Sequence, residues 1–215
     1  MKTAQGLAVD KATERIRRTY DRASLWYDLQ EWLPERIAFR RWRRQLWTLV
    51  PDGRVLEVGV GTGRNIPCYH DGLEVTAIDF SPRMLRRAET RAKRDGINVS
   101  LALMDAQALD FQDSTFDSVV STFVFCSVPD PIIGLQEIRR VLKPGGRVYL
   151  LEHVLSRARV LRWFMQRING VWRAMSGANI NRDTVANVEQ AGLRVVEVRD
   201  LAADVVKLIL AKKAD

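Results

Sequence analysis

The chain predicts a doubly wound α/β fold, a largely parallel sheet with helices on both faces, and three observations carry that expectation. Short runs dense in Val, Leu and Ile recur as RVLEVGV (54–60), LEVTAID (73–79), SVVSTFVF (118–125) and RVYLLEHV (147–154), the composition of strands buried on both faces. Between them lie helical stretches with their own start and stop signals. SPRMLRRAETRAKRDG (81–96) opens on a Ser cap followed by Pro and closes on Gly96, and DPIIGLQEIRRVLKPGG (130–146) stops at Pro-Gly-Gly. Finally LRVVEVRDL (193–201) and DVVKLILAK (204–212) stand too close for a crossover helix, so they are expected as an antiparallel hairpin at one sheet edge.

Ahead of the sheet, ERIAFRRWRRQLWTLV (35–50) fits a helix. At about 3.6 residues per turn, Ala38, Phe39, Trp42, Leu46, Leu49 and Val50 share one face, with Arg36, Arg40, Arg43 and Arg44 opposite. Trp47 falls among the arginines, which points to an interface rather than to core packing. The organisation expected is an N-terminal helical extension, a lid, over 1–50 and one α/β domain over 51–215, with 153–182 as an insertion at its ligand-facing or membrane-facing side.

The formal net charge is +8, from 34 Lys and Arg against 26 Asp and Glu, and its placement is uneven. Residues 1–50 hold eleven basic and six acidic residues. Between Glu152 and Asp183 there are six arginines and no acid. All six Trp (26, 32, 42, 47, 163 and 172) lie in these two segments. Arg beside Trp suits an anionic lipid surface, by Coulomb attraction and interfacial burial. The alternative is a lid with a solvated face. No apolar run approaches the roughly 18–20 residues of a bilayer span and the N-terminus lacks a signal-peptide core, so a cytoplasmic location is expected, peripheral on the inner membrane face. Cys68 and Cys126 show no ligand spacing, and no metal is expected.

The chemistry is carried by VLEVGVGTGRN (55–65). Gly59, Gly61 and Gly63 follow the first strand, where bare backbone lets a nucleotide-like ligand approach. A pyrophosphate is disfavoured, because Arg64 stands where the dinucleotide fingerprint needs its last glycine. Glu57 precedes the glycines, where a carboxylate would meet a cationic or hydrogen-donating ligand. Asp79 ends the second strand, placed to accept both hydroxyls of a ribose.

With these residues the chain resembles the class I S-adenosylmethionine-dependent methyltransferases. LEVGVGTG matches the segment that holds the methionine end of the cofactor. AIDFSPRML places Asp79 at the ribose and Phe80 and Met84 near the adenine, and LMDAQAL places Asp105 and Ala106 at the adenine edge. FDSVVSTFVFCSV and LKPGGRVYLLEHV are similar to the family's fourth and fifth strand segments. The resemblance spans about residues 50–152 and implies a Rossmann-like, seven-stranded, mostly parallel sheet whose last strand is antiparallel. YDRASLWYD and the EHV…GANINRDT segment narrow it toward small bacterial phospholipid N-methyltransferases, quinone C-methyltransferases and membrane-associated thiol methyltransferases. The implied cofactor is S-adenosylmethionine, and the implied acceptor an amphipathic or membrane-held small molecule, with the amine of phosphatidylethanolamine foremost and a small thiol or quinone precursor as the alternative. Nucleic acid is the less favoured partner, since FVFC stands where nucleic-acid amino-methyltransferases carry an NPPY-type tetrapeptide.

His153, after Glu152 at the carboxyl end of the fifth strand, is the candidate base; its bland reading is a histidine bonded to a loop carbonyl. Tyr20 and Tyr27, seven residues apart, are candidates for closing over the cofactor or orienting an acceptor amine. Trp163 and Arg182 are candidates for acceptor contact. Asn181 is expected to cap a helix starting near Arg182. His70 is expected at the surface, and Cys126 as a small core residue. Gly170 interrupts LRWFMQRINGVWRAM (161–175), which reads as a lid or membrane-facing flap with a hinge.

Overall fold

The computed structural model describes Glu14 and residues 38–176, 179, 181–202 and 204–213. Tyr20 and Tyr27, with most of the expected N-terminal extension, lie outside the described residues. The seven strands are β1 (Gly53–Val58), β2 (Leu73–Asp79), β3 (Ser100–Leu103), β4 (Phe116–Thr122), β5 (Leu142–His153), β6 (Leu193–Ala202) and β7 (Val206–Lys213), in one sheet of order β3-β2-β1-β4-β5-β7-β6. β7 is antiparallel to both β5 and β6, and the other pairings are parallel. The expected Rossmann-like sheet is therefore present, with β6 on the outside of the hairpin and β7 inside.

Among the described residues the longer helices are α1 (Arg40–Trp47), α2 (Pro82–Asp95), α3 (Pro131–Val141), α4 (Arg159–Ser176) and α5 (Thr184–Gln190). Ser81 Oγ accepts the Met84 N–H at 3.2 Å and Gly96, at φ +67°, ends α2 in the left-handed conformation its neighbours would resist. Asp130 caps α3 by accepting from Ile132 and Ile133. The cap of α5 is Asp183, which accepts from Ala186, and not Asn181 as expected: helix geometry begins two residues later than Arg182, where Asp is in reach of the free N–H.

One sheet face carries Leu56, Ile78, Val119 and Leu150 against Leu135 and Ile138 of α3 and Val188 of α5. The other carries Val55, Ala77, Val120 and Leu151 against Leu46 and Trp47 of α1 and Ala88 and Ala92 of α2. Here the sequence expectation for α1 needs correction. Trp47 is 1% exposed, its ring 4.6 Å from that of Tyr69, and Arg43 is also buried. The helix is rolled so that Arg43, Leu46, Trp47 and Val50 face the sheet while Trp42 is half-buried. Trp47 is a core residue because Arg43, beside it on that face, finds buried hydrogen-bond acceptors.

Candidate active site

At the carboxyl end of β1 the backbone turns through Gly59 and Gly61 at φ +74° and +55°. A Cβ on Gly59 would lie 2.3 Å from Val124 Cγ2, so only hydrogen fits between this loop and the turn after β4. A Cβ on Gly61 would meet nothing within 4 Å, because that side faces open space. The Gly61 N–H donates to Asp79 Oδ2 at 2.9 Å and the Ser81 N–H to Asp79 Oδ1 at 2.9 Å, which fixes the carboxylate at the end of β2. Around it opens a cavity whose lining includes Gly59, Gly61, Asp79, Phe80, Met84, Asp105 and Ala106. These seven candidates are brought together. Gly63 is not on this wall; it packs against α2, where a Cβ would be 3.0 Å from Ala88 Cα.

Glu57 is placed differently from the expectation. It lies beneath the glycine loop, wholly buried, with Oε1 accepting from Asn65 Nδ2 at 2.6 Å and Oε2 from the Tyr69 hydroxyl. Arg43 Nη1 donates to Asn65 Oδ1 at 3.0 Å and to Thr122 Oγ1 at 2.6 Å, and Asn65 Nδ2 also reaches Thr122 Oγ1 at 2.9 Å. Burial outweighs these donors and pushes the Glu57 carboxyl up to about 7. Arg43 and Thr122 also line the cavity, so α1 and β4 meet at its floor. Sequence reasoning missed both.

His153 ends β5 with its ring stacked on Phe123 at 4.7 Å and edge-on to Phe39 at 6.0 Å. Phe39 and Phe123 are 4.8 Å apart, and the Arg43 guanidinium lies 5.3 Å from the Phe123 centroid. Phe123 lines the cavity, so His153 adjoins the wall through that ring. Its burial lowers its pKa and favours the neutral imidazole. His70 is the opposite case: both ring nitrogens face carbonyl oxygens, of Asp71 at 2.8 Å and Val50 at 3.0 Å, and its pKa is raised. Burial pushes the Cys126 thiol up to about 12, which leaves it protonated and inert.

Arg182 Nη2 donates to the carbonyls of Val128 at 3.0 Å and Pro129 at 3.4 Å, both residues of the cavity wall, so this guanidinium braces the wall from behind. Trp163 is 58% exposed on α4 with Arg167 5.3 Å from its ring, away from the cavity lining. Val160 and Phe164 are exposed beside it, and Met165 is buried. The side chains of 171–178, Trp172 among them, lie outside the described residues. Among the described residues, no group of three or more His, Cys, Asp or Glu is arranged to hold a metal ion.

A family model described as a methyltransferase domain matches residues 56–150. A phosphatidylethanolamine N-methyltransferase of Cereibacter sphaeroides is 47% identical over 47% of this chain and 51% of its own length. A demethylmenaquinone methyltransferase of Renibacterium salmoninarum is 35% identical over 67% of this chain and 61% of its own. A thiol S-methyltransferase of Rattus norvegicus is 31% identical over 73% and 69% respectively. The chain belongs to the S-adenosylmethionine-dependent methyltransferase family. It spans about half to two thirds of the length of these relatives. Among solved structures, a Thermotoga maritima methyltransferase titled a possible histamine N-methyltransferase shares the fold with a TM-score of 0.68 at 24% identity, covering 91% of this chain and 99% of its own. The cavity suits the family's cofactor in the residue types it presents: the Asp79 carboxylate is an acceptor of the kind ribose hydroxyls would need, the bare face of Gly61 leaves room for an aminoacyl end, and Phe80, Met84, Met104 and Ala106 would offer apolar surface to a purine.

Proposed function

We propose that the chain transfers a methyl group from S-adenosylmethionine to an acceptor held at a membrane surface, foremost the amine of phosphatidylethanolamine. The observation that carries the membrane part is α4. It follows β5 at the carboxyl edge of the sheet and exposes Val160, Leu161, Trp163 and Phe164, within a stretch rich in arginine and free of acids. An apolar strip flanked by guanidinium groups suits the boundary between headgroups and acyl chains of an anionic bilayer. No described helix is long and apolar enough to cross a membrane, so the contact proposed is peripheral, from the aqueous side of the inner face. The relative that methylates phosphatidylethanolamine supports the choice of amine, by name and by its 47% identity.

S-Adenosylmethionine, when bound, supplies an electrophilic methyl carbon on a sulfonium. Asp79, Phe80, Met84, Asp105 and Ala106 would hold its nucleoside, and Gly59 and Gly61 its aminoacyl end. The chain's own task is then to align the acceptor, exclude water and take up a proton; alignment alone supplies roughly 7–11 kcal/mol in favourable cases. An ammonium must lose its proton before it attacks, and a neutral His153, one ring away from the cavity, is the base we assign. Tyr20 and Tyr27 are proposed to orient the amine, and Trp163 to seat the lipid.

The test offers the full chain labelled cofactor with vesicles of phosphatidylethanolamine and phosphatidylglycerol, with an alkyl thiol, and with a demethylated quinone. Label in the lipid headgroup, lost with Trp163→Ala and Phe164→Ala together, is the expected result. Label only in the thiol or quinone overturns the lipid reading in favour of the chemistry named for the other two relatives.

A further inference from the structure

β4 does not run straight into the loop that follows. Phe123 takes φ +59°, a left-handed conformation rarely adopted by a residue with a bulky side chain, and its N–H donates to Leu151 O at 2.7 Å. The turn swings the next two N–H groups inward together. Those of Val124 and Phe125 both donate to one carboxylate oxygen, Glu152 Oε1, at 3.0 and 3.2 Å. Glu152 is fully buried in β5 and precedes His153, whose ring stacks on that same Phe123. On the other side, Val124 closes on Gly59 with room for no more than a hydrogen.

We propose that Glu152 is a positioning residue: its carboxylate latches the left-handed Phe123 turn and thereby sets both the Phe123–His153 ring pair and the Val124–Gly59 contact at the cavity. A buried carboxyl oxygen accepting from two consecutive N–H groups is a directional clamp, and these donors partly offset the burial that pushes the Glu152 carboxyl up to about 7. It holds in place a backbone conformation that the Phe123 side chain opposes. Without it the turn relaxes, Phe123 leaves the wall, and the imidazole loses its stacking partner. The bland alternative is that Glu152 merely satisfies two buried N–H groups, with no bearing on the cavity.

Three measurements on the full chain separate these, and only the third rests on the proposed acceptor. The first follows the imidazole C–H resonances of His153, distinguished from those of His70 with His70→Asn; stacking on Phe123 displaces them from free-imidazole positions. The second is calorimetric binding of S-adenosylhomocysteine. The third is turnover on phosphatidylethanolamine vesicles. Glu152→Gln keeps an oxygen that accepts the same two N–H groups, so it should keep the displaced resonance and turn over within about threefold of the parent, far inside the roughly 100-fold that an ångström of misplacement costs. Glu152→Ala should lose the displacement and cut kcat by about 100-fold, with KM for the lipid and affinity for the cofactor product moving much less. Should the alanine variant not fold, Glu152→Asp decides, because it keeps the charge but pulls the oxygen back from both donors, and the same loss of displacement is expected. An unmoved His153 resonance in Glu152→Ala or Glu152→Asp overturns the latch, as does a Gln variant as damaged as the Ala one. Absence of turnover by the parent on the lipid overturns the acceptor reading, and the His153 resonance in the Gln, Ala and Asp variants then judges the latch, the calorimetry showing whether the cavity still binds.

Discussion

Around Glu57, the side chains of Asn65, Tyr69, Thr122 and Arg43 answer one another's hydrogen bonds inside the protein, drawing on four separate segments of the chain. On α4 the arrangement is reversed: Val160, Trp163 and Phe164 stand in solvent, and the arginines near them have no acid within the whole stretch from His153 to Arg182. Among the described residues, the polar groups behind the glycine loop are thus satisfied within the protein, whereas α4, which we propose serves the acceptor, turns apolar side chains to solvent. That division matches a family in which relatives named for lipid, quinone and thiol methylation align with this chain.

The comparison breaks most sharply at Gly59. Gly59→Ala forces a Cβ into Val124 and a side chain onto a positive φ, and should weaken S-adenosylhomocysteine binding by roughly 100-fold or abolish it by calorimetry. Adding Val124→Ala should recover part of the loss; no recovery would mean that the clash is not the cause. Next comes Arg43→Ala, which strands the buried Asn65 Oδ1, leaves Thr122 Oγ1 with its Asn65 donor alone, and should lower unfolding free energy by about 1–3 kcal/mol in denaturant titration. Unfolding like the parent's would mean that the network around Glu57 does not depend on Arg43.

On the acceptor side, Trp163→Ala with Phe164→Ala should reduce binding to anionic vesicles by about 10- to 100-fold, from lost apolar burial, while stability stays within about 0.5 kcal/mol. A fall in stability with unchanged vesicle binding would assign α4 to the protein's own packing. The smallest effect is electrostatic. In an NMR titration His70 should show a midpoint above the ordinary histidine value and His153 one below it. The signs then follow. The His70 contribution to stability is complete below the ordinary midpoint and is lost as pH rises through the raised one. His153 weakens the fold as pH falls below the ordinary midpoint, since the unfolded chain takes the proton more readily. Midpoints in the reverse order would contradict both environments.

Much of this was readable beforehand, and the exceptions share a cause. Runs dense in Val, Leu and Ile mark β1, β2, β4 and β5 because parallel strands buried on both faces must be largely apolar. β3 escapes that signal: it is four residues long, at the sheet edge and only part-buried. Of the seven cavity-lining candidates, Gly59, Gly61 and Asp79 were legible because glycines and an acid at strand ends constrain backbone and charge locally, whereas Phe80, Met84, Asp105 and Ala106 came from the family resemblance. Arg43 was not, since an arginine turns inward only if Asn65 and Thr122, 22 and 79 residues away, are there to receive it. Phe123 was hidden for a similar reason: STFVF reads as continuing strand, and the left-handed turn is imposed by Glu152 from the neighbouring strand.

The position of β7 bears on how the protein is made. β6 leaves the ribosome before β7, its one sheet neighbour among the described residues, and β5 offers an open edge over the same interval, because β7 is the strand that seats between them. Until those eight residues are synthesised, two strands carry unpaired backbone in a nascent chain, the circumstance in which chaperone capture and mispairing between copies compete with folding. Yield from cells, more than the stability of the finished fold, should therefore register changes in β7.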